Sequence, residues 1–142
     1  MHDKPNFKFE KTIISDKKKY IAGVDEAGRG TLAGPVTVGI VIFDINSNNE
    51  KLLIDIGIND SKKISPTKRQ KLYEYIVLNS ISYSTGCSSE SEIDSIGINE
   101  SIQLALSRAL GNLNQKPHHL LIDAIEYSYN DIPQTSIIKG DQ

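Results

Sequence analysis

The chain predicts an α/β fold, a mixed β-sheet flanked by helices. Three observations lead there. Short β-branched runs alternate with stretches whose apolar residues recur at helical spacing. The patterns follow the order β-β-α-β-α-β-β, with no repeat and no linker-like segment. At 142 residues and 38% hydrophobic content, the chain suits one folded domain with one core.

Residues 1–19 are polar, carry a Lys17-Lys18-Lys19 run, and read as a loosely packed, partly ordered lead-in to a domain over 20–142. Tyr20 to Asp25 is the first strand. Val36 to Phe43 is the second, so continuously apolar that cover on both faces is expected. "DINSNNEK" reads as a turn. Ser65 is a good N-cap with Pro66 at the first helical position, and Leu72, Tyr73, Ile76 and Val77 then form one apolar face. Residues 81–89 alternate as a third strand. A helical stretch follows, broken near Gly97, whose second part carries Ile98, Ile102, Ala105, Leu106, Ala109, Leu110 and Leu113 before Pro117. "HHLLIDA" is a short buried strand ending at Asp123, and "TSIIKGD" another ending at Asp141.

Composition narrows the function classes. No apolar run approaches the roughly 20 residues of a membrane span, and "MHDKPNFKFEK" lacks the apolar core of a signal peptide. Cys87 is the sole cysteine, which suits a reducing compartment. The expectation is therefore a cytoplasmic monomer with no membrane partner. A net charge of −2 gives no overall footprint for nucleic acid. Residues 61–71 nevertheless hold Lys62, Lys63, Lys68, Arg69 and Lys71 and no acid, which charge alone reads as a solvated helix face. Tyr73, Tyr75 and Tyr83 read as core or edge aromatics, Cys87 as a small core or edge residue, and His118 and His119 as surface histidines.

The acids are more informative. Side chains alternate along a strand, so Asp25 and Glu26 share a side only if the strand ends near Asp25. The glycines of "GRG" permit such a turn. Asp123 and Asp141 also end apolar runs, and ligands of open α/β sheets bind at the carboxyl ends of strands. Carboxylates gathered there repel unless a cation joins them, and hard oxygen donors without a Cys or His pattern point to Mg²⁺ or Mn²⁺. The bland alternative stays open: a single strand-end Asp is commonly a turn or cap residue.

Four blocks sharpen this. "GVDEAGRGTLAGPV" (23–36), "INDSKKIS" (58–65), "LLIDA" (120–124) and "IPQTSIIKGD" (132–141) resemble, in order and spacing, the type 2 ribonuclease H (ribonuclease HII) family. The resemblance covers about residues 20–142 and implies the ribonuclease H-like fold. It implies an endonuclease that cuts RNA paired to DNA, or ribonucleotides embedded in DNA, leaving 5′-phosphate and 3′-hydroxyl ends. It also implies a two-metal site of Mn²⁺ or Mg²⁺ on Asp25, Glu26, Asp123 and Asp141, which are the implied catalytic residues. Gly28, Arg29 and Gly30 would meet the ribose 2′-hydroxyl, and Asp60, Ser61, Lys62 and Lys63 the phosphates. Thr31 stands where the family usually has proline. The family continues past Asp141 into helices that this chain, ending at Gln142, lacks. The expectation is thus a truncated chain with little or no activity. The alternatives to the endonuclease reading are an inactive truncated fragment that only binds metal and hybrid duplex, or another metal nuclease of the same fold.

Overall fold

The structure is a computed structural model describing residues 6–30, 33–123 and 131–137. Thr31, Asp141 and the end of the last expected strand lie outside those residues. In chain order the elements are α1 (Lys8–Ile13), β1 (Ile21–Ala27), β2 (Val36–Ile42) and α2 (Ser47–Asp55). A one-turn 3₁₀ helix (Ser61–Lys63), α3 (Pro66–Asn79), β3 (Ser82–Ser88), α4 (Glu90–Ile96), α5 (Ile98–Asn112), β4 (His119–Asp123) and β5 (Gln134–Ile137) follow. The strands form one sheet in the order β3-β2-β1-β4-β5. β1, β4 and β5 run parallel, and β2 is antiparallel to both β1 and β3. This is the mixed-sheet α/β architecture that the sequence predicts.

The apolar stripe of α5 makes the core. Ile102, Ala105, Leu106, Ala109 and Leu110 pack with Ala22, Val24, Val36, Val38, Ile40, Ile42, Leu120 and Ile122. Each large aliphatic side chain buried there contributes about 1.5–3 kcal/mol. Alternation along β2 buries Val36, Val38, Ile40 and Ile42, whereas Thr37, Gly39 and Val41 are only half-buried. The strand is therefore fully covered on one face, not on two. β3 turns its small residues, Ser82, Ser84, Gly86 and Ser88, to the core and leaves Tyr83, Thr85 and Cys87 exposed. The reason is close approach by α5: a Cβ on Gly86 would lie 2.1 Å from the Ala105 carbonyl oxygen. Ser84 uses that proximity, its hydroxyl donating to the Ala109 carbonyl at 2.6 Å.

β3 is also a sheet edge, and α5 reaches over it. Asn112 Nδ2 donates to the Thr85 carbonyl (3.0 Å) and Arg108 Nη1 to the Cys87 carbonyl (2.7 Å). Arg108 further grips Glu92 through both nitrogens at 2.8 and 2.7 Å. Glu92 itself closes a capping box with Ser89 at the start of α4. The guanidinium and the Ser89 N–H hold the Glu92 carboxyl well below its usual range, at about 2.

Three elements depart from expectation. The lead-in forms α1, docked by the buried ring of Phe7 and by Glu50 of α2, which accepts from the Phe7 N–H and pairs with Lys11. α2 starts inside the expected turn, where Asn46 accepts from the Asn49 N–H at 2.9 Å and caps it. In α3 the Ser65 cap and Pro66 are as read, yet of the expected apolar face only Leu72 is buried, and Tyr73 is 53% exposed.

Candidate active site

The parallel trio β1, β4 and β5 sets Asp25, Asp123 and Ile137 toward one edge of the sheet. Val24 pairs with Ile122, so the next step along both strands sets Asp25 level with Asp123. Asp123 in turn pairs with Ile137 on β5. Residues level on neighbouring strands share a face, and such strands lie about 4.8 Å apart. Asp25 and Asp123 accordingly line one open concavity of about 180 Å³, together with Gly23, Leu121, Ile137 and Glu10. Strand alternation explains the company: Gly23 and Leu121 are the inward-stepped neighbours of the two acids on that face.

Glu26 behaves differently from expectation. β1 does not end at Asp25; its antiparallel pairing with β2 continues through Glu26↔Val38 and Ala27↔Thr37. Alternation then sends Glu26 to the other face. Its side chain is only 14% exposed, and its Oε1 lies 3.8 Å from Arg29 Nη1. Arg29 also donates from Nη2 to Asn99 Oδ1 (3.2 Å), one residue into α5. The glycine loop is thereby tied to a helix start. Gly28 has φ +92°, and a Cβ there would lie 2.5 Å from the Pro35 carbonyl oxygen. A Cβ on Gly30 would meet nothing within 4 Å.

The Asp60–Lys63 segment forms a separate cluster that does not line the concavity. Asp60 caps the 3₁₀ turn, its Oδ1 accepting from the Lys62 N–H at 3.0 Å. That bond gives its carboxylate a structural task and leaves Ser61, Lys62 and Lys63 exposed at the turn.

Sequence reasoning missed two neighbours of these groups, Glu10 and Asn99, and counted Arg69 only as one of the basic stretch, although it donates to the Ser61 and Ile64 carbonyls. Glu10 overlooks the concavity from α1, and burial raises its carboxyl above the usual value. No residue pattern announced it, because its position depends on how α1 docks. The histidines also split. His118 is exposed and stacks on Tyr20 with ring centroids 5.4 Å apart. His119 is buried, contrary to expectation, with Nε2 2.8 Å from Thr135 Oγ1. Its place on β4, between β1 and β5, removes it from water.

Comparison with known proteins agrees with this architecture. Over 135 residues the chain is 45% identical to a ribonuclease HII of Staphylococcus carnosus, covering 94% of this chain and 49% of that one. It is 41% identical over 140 residues to a ribonuclease HII of Caldicellulosiruptor saccharolyticus, covering 99% and 65%. The chain thus spans from about half to just under two thirds of the length of these relatives. The ribonuclease H2 of Pyrococcus horikoshii superposes with a TM-score of 0.71 at 28% identity, over 86% of this chain and 64% of that one. The ribonuclease HII family profile matches residues 22–141, and the chain belongs to that family.

Proposed function

We propose that this chain forms the catalytic domain of a metal-dependent endonuclease that cuts the RNA strand of RNA–DNA hybrids and ribonucleotides embedded in DNA. The products would carry 5′-phosphate and 3′-hydroxyl ends. The observation that supports this most is the register setting Asp25 level with Asp123 toward the carboxyl ends of adjacent parallel strands. Family membership supports the reaction class.

The donor set suits a hard divalent cation such as Mg²⁺ or Mn²⁺, because carboxylates line the concavity with no thiol or imidazole beside them. Among the described residues no three His, Cys, Asp or Glu side chains gather closely enough to enclose an ion. The proposed set is therefore Asp25 and Asp123, completed by Glu26 on leaving its long ion pair with Arg29, and by Asp141. Divalent ions held by these carboxylates would supply Lewis-acid activation of water and charge stabilisation at a leaving 3′-oxygen. The chain's own residues do the rest. Gly28, Arg29 and Gly30 let backbone groups approach a ribose 2′-hydroxyl, the feature that separates RNA from DNA. Lys62 and Lys63 contact phosphates, which positions a duplex without reading its sequence. The proposed setting is a cytoplasmic monomer acting on the duplex itself.

The test is cleavage of a labelled RNA–DNA hybrid with Mg²⁺ or Mn²⁺, against a DNA duplex, by this chain carried to the full length of its relatives and by the same protein with Asp25→Asn or Asp123→Asn. Hybrid-only cleavage that either substitution abolishes is expected. Cutting of the DNA duplex would favour another metal nuclease of this fold, and metal-dependent binding without cutting would favour a binding module.

A further inference from the structure

Arg69 lies in the middle of the basic stretch that includes Lys62, Lys63, Lys68 and Lys71. Its guanidinium is turned back on the chain. Nη1 donates to the Ser61 carbonyl at 2.8 Å and to the Ile64 carbonyl at 3.2 Å. Those two carbonyls bracket Lys62 and Lys63. The turn's other ties are short-range, from the Lys62 N–H to Asp60 Oδ1 (3.0 Å) and from the Lys63 N–H to the Asp60 carbonyl (2.9 Å). A single 3₁₀ turn holds itself poorly. Arg69 supplies a tie from a different element, the 14-residue helix α3.

From this geometry we infer that Arg69 is a positioning residue, not a phosphate contact. It clamps the turn so that Lys62 and Lys63 are presented together. The inference rests on the reading of those two lysines as phosphate contacts. It divides the basic stretch: Lys62 and Lys63 carry their charges on the exposed turn, while Arg69, though itself exposed, turns Nη1 onto backbone carbonyls. Both bonds leave Nη1, at the far end of the guanidinium, and a lysine ammonium ends one bond short of that atom, so charge-preserving replacement does not restore the clamp.

Two readouts test it. The first needs no nucleic acid: amide hydrogen exchange at residues 61–64, followed in wild type, Arg69→Ala and Arg69→Lys. Both variants should exchange about tenfold faster at the Lys62 and Lys63 amides, the factor given by a hydrogen bond worth about 1.4 kcal/mol, with α5 amides unchanged. Unchanged exchange at the turn overturns the clamp. The second is hybrid binding over a salt series. Arg69→Lys should lose affinity alongside Arg69→Ala, and Arg69→Ala should add little to the loss in a Lys62→Ala, Lys63→Ala double variant. Full affinity in Arg69→Lys, or additive losses, would mean that Arg69 meets phosphate itself and overturns the proposal. If the lysine substitutions leave binding untouched while exchange still responds to Arg69, the phosphate reading fails and the clamp stands.

Discussion

Replacing Gly28 and Gly30 by alanine, one at a time, separates what the glycine loop does for the fold from what it does for a ligand. At Gly28 the backbone has φ +92°, and an added Cβ would meet the Pro35 carbonyl oxygen at 2.5 Å. Ordinary contact begins near 3.4 Å, so the loop or the start of β2 must yield by about 0.9 Å, the difference of those two distances. Forcing a non-glycine residue into positive φ costs roughly 1–3 kcal/mol, and overpacking adds a similar amount where the obstacle is backbone. Partial relaxation brings the expected loss for Gly28→Ala to about 2–4 kcal/mol, or roughly 6–16 °C in Tm for a domain of this size. At Gly30 no positive φ is required, and the Cβ would meet nothing within 4 Å. Gly30→Ala should therefore stay within about 0.5 kcal/mol of wild type. If the loop approaches a ribose closely, that same variant should still lose hybrid cleavage, because its methyl group stands where the sugar comes in. Thermal denaturation and hybrid cleavage, measured on both variants, decide the matter. A Gly28→Ala protein melting within 2 °C of wild type would refute the steric argument, and a fully active Gly30→Ala protein would refute the close approach.

Other outcomes follow from packing and ionisation. Gly86→Ala should cost about 3 kcal/mol or more in urea denaturation, since the new Cβ would sit 2.1 Å from Ala105 O and 2.4 Å from Ala109 N. Gly111→Ala, with open space and an ordinary helical backbone, should be neutral or stabilising by comparison. Burial, aided by the charge of Lys18, lowers the His119 pKa below 6.5. The unfolded chain then takes up that proton first, so this contribution is complete above pH 6.5 and is lost as pH falls below it. His119→Asn should show a smaller drop in urea midpoint between pH 7.5 and 5.5 than wild type, and equal drops would count against it. Glu92, held at about 2 by Arg108 and the Ser89 N–H, stabilises the fold above its ordinary pKa of 4.5 and loses that effect as pH falls from 4.5 through 2. Glu92→Gln should have a shallower acid limb, and superimposable acid titrations of the two proteins would exclude this role.

Much of the architecture was legible because strong local signals agreed with the fold. Ser65-Pro66 marked the start of α3, and the α5 stripe marked the core. Asp123 is the last described residue of its strand, at the close of the apolar run. What escaped depends on neighbours. α2 is written in Ser, Asn and Glu, a composition that favours turns, yet the Asn46 cap and the burial of Leu53 make it a helix. β1 runs past Asp25 because β2 offers pairing partners as far as Thr37, a fact of register that β1's own residues do not contain. In β3 the core side is serine and glycine, so hydrophobicity points the wrong way. Only the closeness of Ala105 and Ala109 makes sense of it. The candidate site follows the same division. Of the acids picked out by pattern, Asp25 and Asp123 lie level on neighbouring strands, whereas Glu10 at the concavity and Asn99 on Arg29 depend on tertiary docking.

The hold of Arg108 and Asn112 on β3 bears on how molecules of this protein meet one another. An outermost strand with free carbonyls invites a foreign strand to zip alongside it, the first step toward runaway sheet growth. Here the Cys87 and Thr85 carbonyls are already engaged by side chains of the chain's own helix. A would-be partner strand must first strip away a guanidinium that Glu92 also grips. The same ion pair that anchors α4 therefore works as a stopper on the flank of the sheet.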